Sequence, residues 1–539
     1  MAHSNQHIRR GIHSPALYLV PAGLLLAASF PPFGYGLLAW VAFVPLLFLW
    51  DRASTFWNCV GPVCAAFMLA YALAFFWPIL HAVDDGGLLA VSGLMIWPLV
   101  FGLAFGAGWL MVPRVGRAPA FAGIICLAVL GEWLLSIAPV QWPWTHLANT
   151  QMELPLIAQL AAVGGPSGIS LWLFLVNGAF FALLRGRGFM HRTGALLLGA
   201  GLIGLVAASG YLSMDQLKEA ETRQVAVVQP DVPVSAWRDP HDGERVDELL
   251  SLSDSLLTHM DPEIELILWP GEALPVFGHY SWREQMMDRL QGWTDDRGVE
   301  LVTGAITPGT ARDSWDRTIS FHRSAVHFRP GTRPDVQHQH NLMPYVEDNR
   351  WHSPPRGLFE QVPSPEGISA FEPGPTGQQA RFNTASGVIS VLLGSEALVH
   401  SSPTHRGAPE MFVLPQSSRA WTSVVWDEAG GTHAQLRAVS HRRPVITLMN
   451  GNQGLLVDAT GVVSRIPATS PAAVLSVPVY NTTPLYARHP HALPVLLVVL
   501  LGFIIFSGWK APLNAVRHVD PNRAVQRLRV RDAMRHIPH

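Results

Sequence analysis

The chain has 539 residues, of which 49% are hydrophobic and only 14% charged, with a formal net charge of −2. Soluble domains carry roughly 25% charged residues, so the deficit points to membrane spans, and the near-zero net charge argues against a nucleic-acid partner. The three cysteines, Cys59, Cys64 and Cys126, all fall in apolar runs, and no disulfide framework is implied.

Seven apolar runs fill the first 212 residues, at 16–30, 37–50, 58–80, 86–112, 118–136, 168–184 and 194–212, and an eighth covers 493–509. Several approach the roughly 20 residues that a helix needs to cross the hydrocarbon core. The run 37–50 is short and taken alone fits a buried core helix, but its company makes it a span. The first run follows Arg9 and Arg10 and reads as an uncleaved signal-anchor, because more spans follow it. Basic residues alternate between loops. Arg9, Arg10, Arg52, Arg114, Arg117, Arg185, Arg187 and Arg192 lie on one side, together with the basic tail from Lys510 to Arg535. The loops 31–36, 81–85 and 137–167 contain no Lys or Arg. By the positive-inside rule this predicts eight spans with both termini cytoplasmic and places 213–492 on the outer face. The expected domains are a membrane base over 1–212, an outer domain over 213–492, a closing span over 493–509 and a cytoplasmic tail over 510–539.

Two features of the base invite a functional reading. The outer loop 137–167 holds Trp142-Pro143-Trp144 and Pro155, which suits either an interfacial aromatic belt or a re-entrant arm that admits a lipid to a site above the membrane. Glu132 lies inside the fifth run. An intramembrane carboxylate is a functional candidate by default, although near a span's end it also suits a side chain that reaches the interface.

From residue 222 the pattern changes to short strands alternating with amphipathic helices. Strands are predicted at 224–229, 265–269, 298–304, 318–328, 387–393, 411–414 and 444–449, and helices at 247–259, 282–293 and 432–442. Such alternation predicts an α/β layered domain. The Pro- and Gly-rich stretch 363–376 reads as an exposed loop. The strand 387–393 runs into the sharp polar turn Gly394-Ser395-Glu396, the kind of turn that presents a nucleophile.

The order of these parts resembles the apolipoprotein N-acyltransferase family, of the membrane-embedded nitrilase (carbon–nitrogen hydrolase) superfamily. The resemblance rests on Phe30-Pro31-Pro32-Phe33-Gly34, on Trp142-Pro143-Trp144 with Gln159, Gly164, Gly165, Gly168, Ser170 and Asn177, and on Val225 through Pro230. It continues through Trp269-Pro270, Leu342 through Glu347, and Arg437-Ala438 to Asn450-Gly451. It implies an αββα sandwich and the transfer of a phospholipid acyl group to a lipoprotein's N-terminal amine, without a cofactor or a metal. A Cys thiolate carries the acyl group, a Glu acts as base and a Lys steadies the oxyanion.

The catalytic positions implied by the resemblance are altered here. The Glu that follows Trp-Pro in the family is displaced by one residue, to Glu272. The Lys position holds Gln339, flanked by His338 and His340, whose spacing also admits a weak metal reading. The Cys position falls on Gly394. Glu347 and Glu396 match supporting glutamates, and Trp237 aligns loosely with an aromatic near the acyl site. Independently of any alignment, no cysteine or lysine lies between Lys218 and Lys510, so no register restores a Cys–Lys pair. Loss of a catalytic nucleophile costs turnover on the order of a million-fold.

Three readings follow. The chain is a relative without the standard acyl transfer, acting as a lipid- or lipoprotein-binding or envelope-assembly protein. Alternatively it is an acyltransferase or hydrolase with changed chemistry, in which Ser395 attacks with help from Glu272, Glu396 or His400. The third is a transport or secretion role, such as an accessory to conjugal transfer.

Overall fold

A computed structural model describes residues 14–76, 88–137, 143–230, 242–259, 264–271, 273–274, 280–310, 320–342, 371–374, 379–398, 409–416, 424–449, 453–466 and 471–510. The base begins with helices α1 (Ala16–Ser29), α2 (Ala39–Ala42), α3 (Val44–Arg52), α4 (Phe56–Ala74), α5 (Leu88–Val115) and α6 (Arg117–Ile137). A 3-10-rich arm follows, with turns at Pro143–Thr145 and Leu147–Gln151. After it come α7 (Pro155–Ala158), α8 (Ala161–Arg185) and α9 (Phe189–Asp215). Among the described residues six helices are long and apolar enough to cross a membrane: α4, α5, α6, α8, α9 and the C-terminal helix over Ala492–Trp509. The chain is a membrane protein.

The first predicted run forms a helix of 14 residues. The second differs from the single span expected, because it breaks between α2 and α3, where Pro45 has no N–H to give. The break is spliced from a distance by Asn177 of α8. Its Oδ1 accepts from Phe43 N at 2.9 Å and its Nδ2 donates to Ala39 O at 2.8 Å. A buried carboxamide thus satisfies main-chain groups that an unbroken helix would have paired internally. At one end of the bundle Asp51 receives Arg117 at 2.7 Å and Arg185 at 2.9 Å. Three of the segments rich in arginine therefore meet at one end of the helices.

The α/β domain has two six-stranded sheets. The first runs in the order β12 (Ala472–Val479), β1 (Glu221–Val228), β2 (Leu266–Leu268), β3 (Glu300–Pro308), β4 (Phe321–Phe328), β5 (Asp335–His338). The second runs β11 (Val463–Arg465), β10 (Leu455–Val457), β9 (Val445–Met449), β8 (Met411–Gln416), β7 (Gly387–Val391), β6 (Ala380–Thr384). In each the three central strands are parallel, β1 with β2 and β3, and β7 with β8 and β9.

Neighbouring residues on one strand serve two different cores, as the period of two demands. Val225, Val227, Ile389, Val391, Met411 and Val413 meet between the sheets. Ala226 and Val228 pack outward with residues of helices α10 (Asp242–His259) and α11 (Tyr280–Arg297). Phe412 and Leu414 pack outward with Ala434 and Ala438 of α12 (Val424–His441). Helix, sheet, sheet, helix is the αββα sandwich that the resemblance implies. A short helix α13 (Leu485–Arg488) leads into the closing helix α14 (Ala492–Lys510).

Helix α12 also faces the base. Its Leu436 and Val439, with Leu398, share one apolar cluster with Leu147, Ala148 and the spans. Polar ties reinforce the joint. Arg442 donates to Gln159 Oε1 and to Ser213 Oγ, each at 2.6 Å, and Gln159 Nε2 donates to Thr460 O at 2.9 Å.

Candidate functional site

Parallel strands gather their carboxyl ends on one edge of a sheet, where the chain must turn and side chains stay uncovered by the next strand. Strand β7 ends at Val391, and Leu392 N still donates to Val413 O at 2.8 Å. The backbone then turns at Gly394, whose φ of +50° favours a residue without a Cβ. The turn Gly394–Ala397 is a single 3-10 turn. Strand β5 of the other sheet ends beside it, which brings Gln339 to the tip.

Gln339 Nε2 lies 3.3 Å from Ser395 Oγ and 2.8 Å from Asn341 O, and Ser395 Oγ donates to the same Asn341 carbonyl at 3.1 Å. Two positions that the resemblance assigns to the acyl carrier and the oxyanion cation therefore do adjoin. They hold a glycine, with its neighbouring serine, and a carboxamide. Both Gln339 and Ser395 are buried.

Glu396 is fully buried and acts on main chain. Its Oε1 accepts from His340 N at 2.9 Å and Asn341 N at 3.0 Å, and its Oε2 accepts from Leu393 N at 3.3 Å. One carboxylate thus ties the segment after β5 to the segment after β7. From behind, Arg437 Nη2 donates to Glu396 O at 3.0 Å, while its guanidinium lies 5.4 Å from the Phe412 ring. Burial pulls the Arg437 guanidinium down to about 10, with Tyr486 and Glu396 opposing that pull.

Glu272, Glu347, Trp237 and His400 lie outside the described residues. Gly271 and Ala273, on either side of Glu272, are buried. His338 turns away from the tip. Its Nδ1 is 2.7 Å from Ser324 Oγ, and its ring stacks on His322 at 4.4 Å. Burial, then the neighbouring His322, lowers His338 to about 4. Among the described residues no group of three His, Cys, Asp or Glu side chains is placed to hold a metal ion.

Beneath α12 lies the arm. Trp144 is 4% exposed and residues 144–152 are all buried, so this part of the arm is packed into the protein. Trp142 lies outside the described residues. Glu132 is 3% exposed, so it does not reach the interface.

The sequence reading missed Asn341, whose carbonyl fills the tip, and did not assign Arg437 to the site. A signal for Arg437 existed: it sits among Ala434, Leu436, Ala438 and Val439, on helix positions that otherwise face the core.

A multi-span base with an αββα domain seated on it is the architecture that the resemblance implies. Residues 22–179 match the apolipoprotein N-acyltransferase N-terminal domain. The apolipoprotein N-acyltransferase of Chlorobaculum tepidum is 24% identical, covering 92% of this chain and 97% of its own length. That of Geobacter metallireducens is 25% identical, covering 85% and 88%. Over most of its length the chain is therefore similar to apolipoprotein N-acyltransferases. An amidase from Nesterenkonia sp. is 14% identical, covers 49% of this chain and 93% of its own, and superposes with a TM-score of 0.33.

Proposed function

We propose that this chain is a family member that does not perform the thiol-based acyl transfer and acts as a lipid- or lipoprotein-binding or envelope-assembly protein. The observation that supports this reading is the filled tip. Gly394 stands at the position of the acyl carrier, and Ser395 Oγ and Gln339 Nε2 both bond to the carbonyl of Asn341. A carbonyl and a carboxamide accept no proton at neutral pH, so these partners do not activate a hydroxyl. The relatives' name points to a lipoprotein ligand, and the resemblance implies membrane phospholipid as the other. In this reading both termini are in the cytoplasm of an inner-membrane protein and the sandwich faces the periplasm, consistent with the arginine-bearing segments gathered at Asp51 and the sandwich seated at the opposite helix ends.

Complementation tests this function. Expressed in a bacterium depleted of its own N-acyltransferase, the chain should fail to restore growth, and a fluorophosphonate probe should leave Ser395 unlabelled. Growth rescue that disappears on Ser395→Ala would instead establish the second reading, serine-based transfer. Binding is tested separately, by retention of diacylglyceryl-modified lipopeptide on the purified full chain. No retention would overturn the binding role.

A further inference from the structure

We propose that Glu132, within span α6, is a positioning residue that latches the buried arm to spans α6 and α8 and so sets the floor on which the α/β domain rests. This inference is independent of the function proposed above.

A carboxylate within an apolar helix weakens insertion of that helix, so its retention calls for a compensating contact. Glu132 makes one. Its Oε1 accepts from Leu147 N at 2.9 Å, the first main-chain N–H of the 3-10 turn Leu147–Gln151. Its other oxygen, Oε2, is buried and makes no hydrogen bond among the described residues, and the same holds for the Ser170 hydroxyl of α8. Ser170 is fully buried and faces the Glu132 carboxyl. Two facing polar atoms, both sealed from water, are matched partners. A small side-chain rotation closes the bond, and leaving both unpaired is the costly alternative. Closed, the bond makes one side chain join α6, the arm and α8.

The arm's position matters to the site. Leu147 and Ala148 pack in the same apolar cluster as Leu436 and Val439 of α12. His146, which precedes Leu147, lies close enough to His433 of α12 to bear on its ionisation. One turn along, Arg437 holds the Glu396 carbonyl at the tip. The tie at Glu132 is therefore the first link of a packed path from the spans to the Gly394 turn.

Hydrogen exchange of the full chain in lipid nanodiscs tests this. Loss of one buried hydrogen bond should speed exchange of the amide it protects by about tenfold. In Glu132→Leu, peptides over 143–158 should exchange about tenfold faster, with a smaller rise over 391–398. Peptides over 300–308 should not change. In Glu132→Gln the carboxamide keeps an acceptor for Leu147 and a donor for Ser170, so arm exchange should stay within about twofold of the parent. Ser170→Ala should raise arm exchange in the same direction, and it decides the test if Glu132→Leu does not fold. The proposal is overturned if the arm is unchanged in Glu132→Leu or Ser170→Ala, or if Glu132→Gln loosens it as much as leucine does. A uniform rise that includes 300–308 would also overturn it.

Discussion

Arg442 and Gln159 stand 283 residues apart in the chain and 2.6 Å apart in space, a guanidinium nitrogen on a carboxamide oxygen at the seam between sandwich and membrane base. The same guanidinium also reaches Ala459 O and Ser213 Oγ, so three segments hang on one buried cation. Arg442 has a φ of +54°, just past the end of α12, where glycine is the favoured residue. Arg442→Ala should cost about 3 kcal/mol through lost charge-assisted bonds and an orphaned Gln159 oxygen. Arg442→Gly should cost about 1 kcal/mol less than alanine, because it relieves the left-handed backbone. Thermal unfolding in detergent checks the order, parent above glycine above alanine.

Gly165 marks a kink in α8, with φ of 62° and ψ of −160°. A Cβ there would meet Tyr486 Cε2 at 2.2 Å. Gly165→Ala should destabilise the fold by about 3 kcal/mol or more, from strain plus overlap. Adding Tyr486→Ala should recover only part of the loss, because it removes the overlap and leaves the backbone strain. A double-mutant cycle on unfolding midpoints measures that part.

Glu396→Ala should be among the most damaging changes in the sandwich. It leaves the N–H groups of His340, Asn341 and Leu393 without their acceptor, at a cost of about 3–5 kcal/mol. Glu396→Gln keeps one acceptor oxygen and should cost less. The check is unfolding together with protection of the amides over 339–341.

Acid should weaken the sandwich in the range where buried histidines resist protonation. Burial, then His322, lowers His338 to about 4. His433 and His441 are lowered to about 3, first by burial and then by Arg437. Unfolded histidines titrate near 6.5. Between that value and the folded values the unfolded chain binds more protons, so stability falls as pH drops from about 6.5 towards 4 and below. Unfolding midpoints from pH 7.5 to 4 should show this slope, and His441→Gln should make it shallower if the replacement folds.

Much of the architecture was legible in the sequence because it follows from periodicity. Apolar runs gave the six helices long enough to span, and short apolar or alternating runs gave β1, β2, β3, β4, β7, β8 and β9 within a few residues. The strands β5, β6, β10, β11 and β12 were not read. β5 and β6 are mixed in polarity, as in Asp335–His338, β11 and β12 lie on sheet edges where one side is open, and β10 has only three residues, so no period of two stands out. The break at Phe43 was equally hidden, since its remedy, Asn177, lies 134 residues away.

By itself the sequence determined what chemistry is absent. With no cysteine or lysine between Lys218 and Lys510, no fold can assemble a thiolate with an ammonium in the α/β domain, because composition limits every arrangement. Only the tertiary structure decided what occupies the place. It brought Gln339 and Ser395 to one carbonyl, set Glu396 to holding main chain, and buried Glu132 against the arm. Those pairings join residues from 15 to 56 positions apart. Hydrogen bonds at such separations depend on how sheets and spans stack, and local sequence carries no period that encodes them.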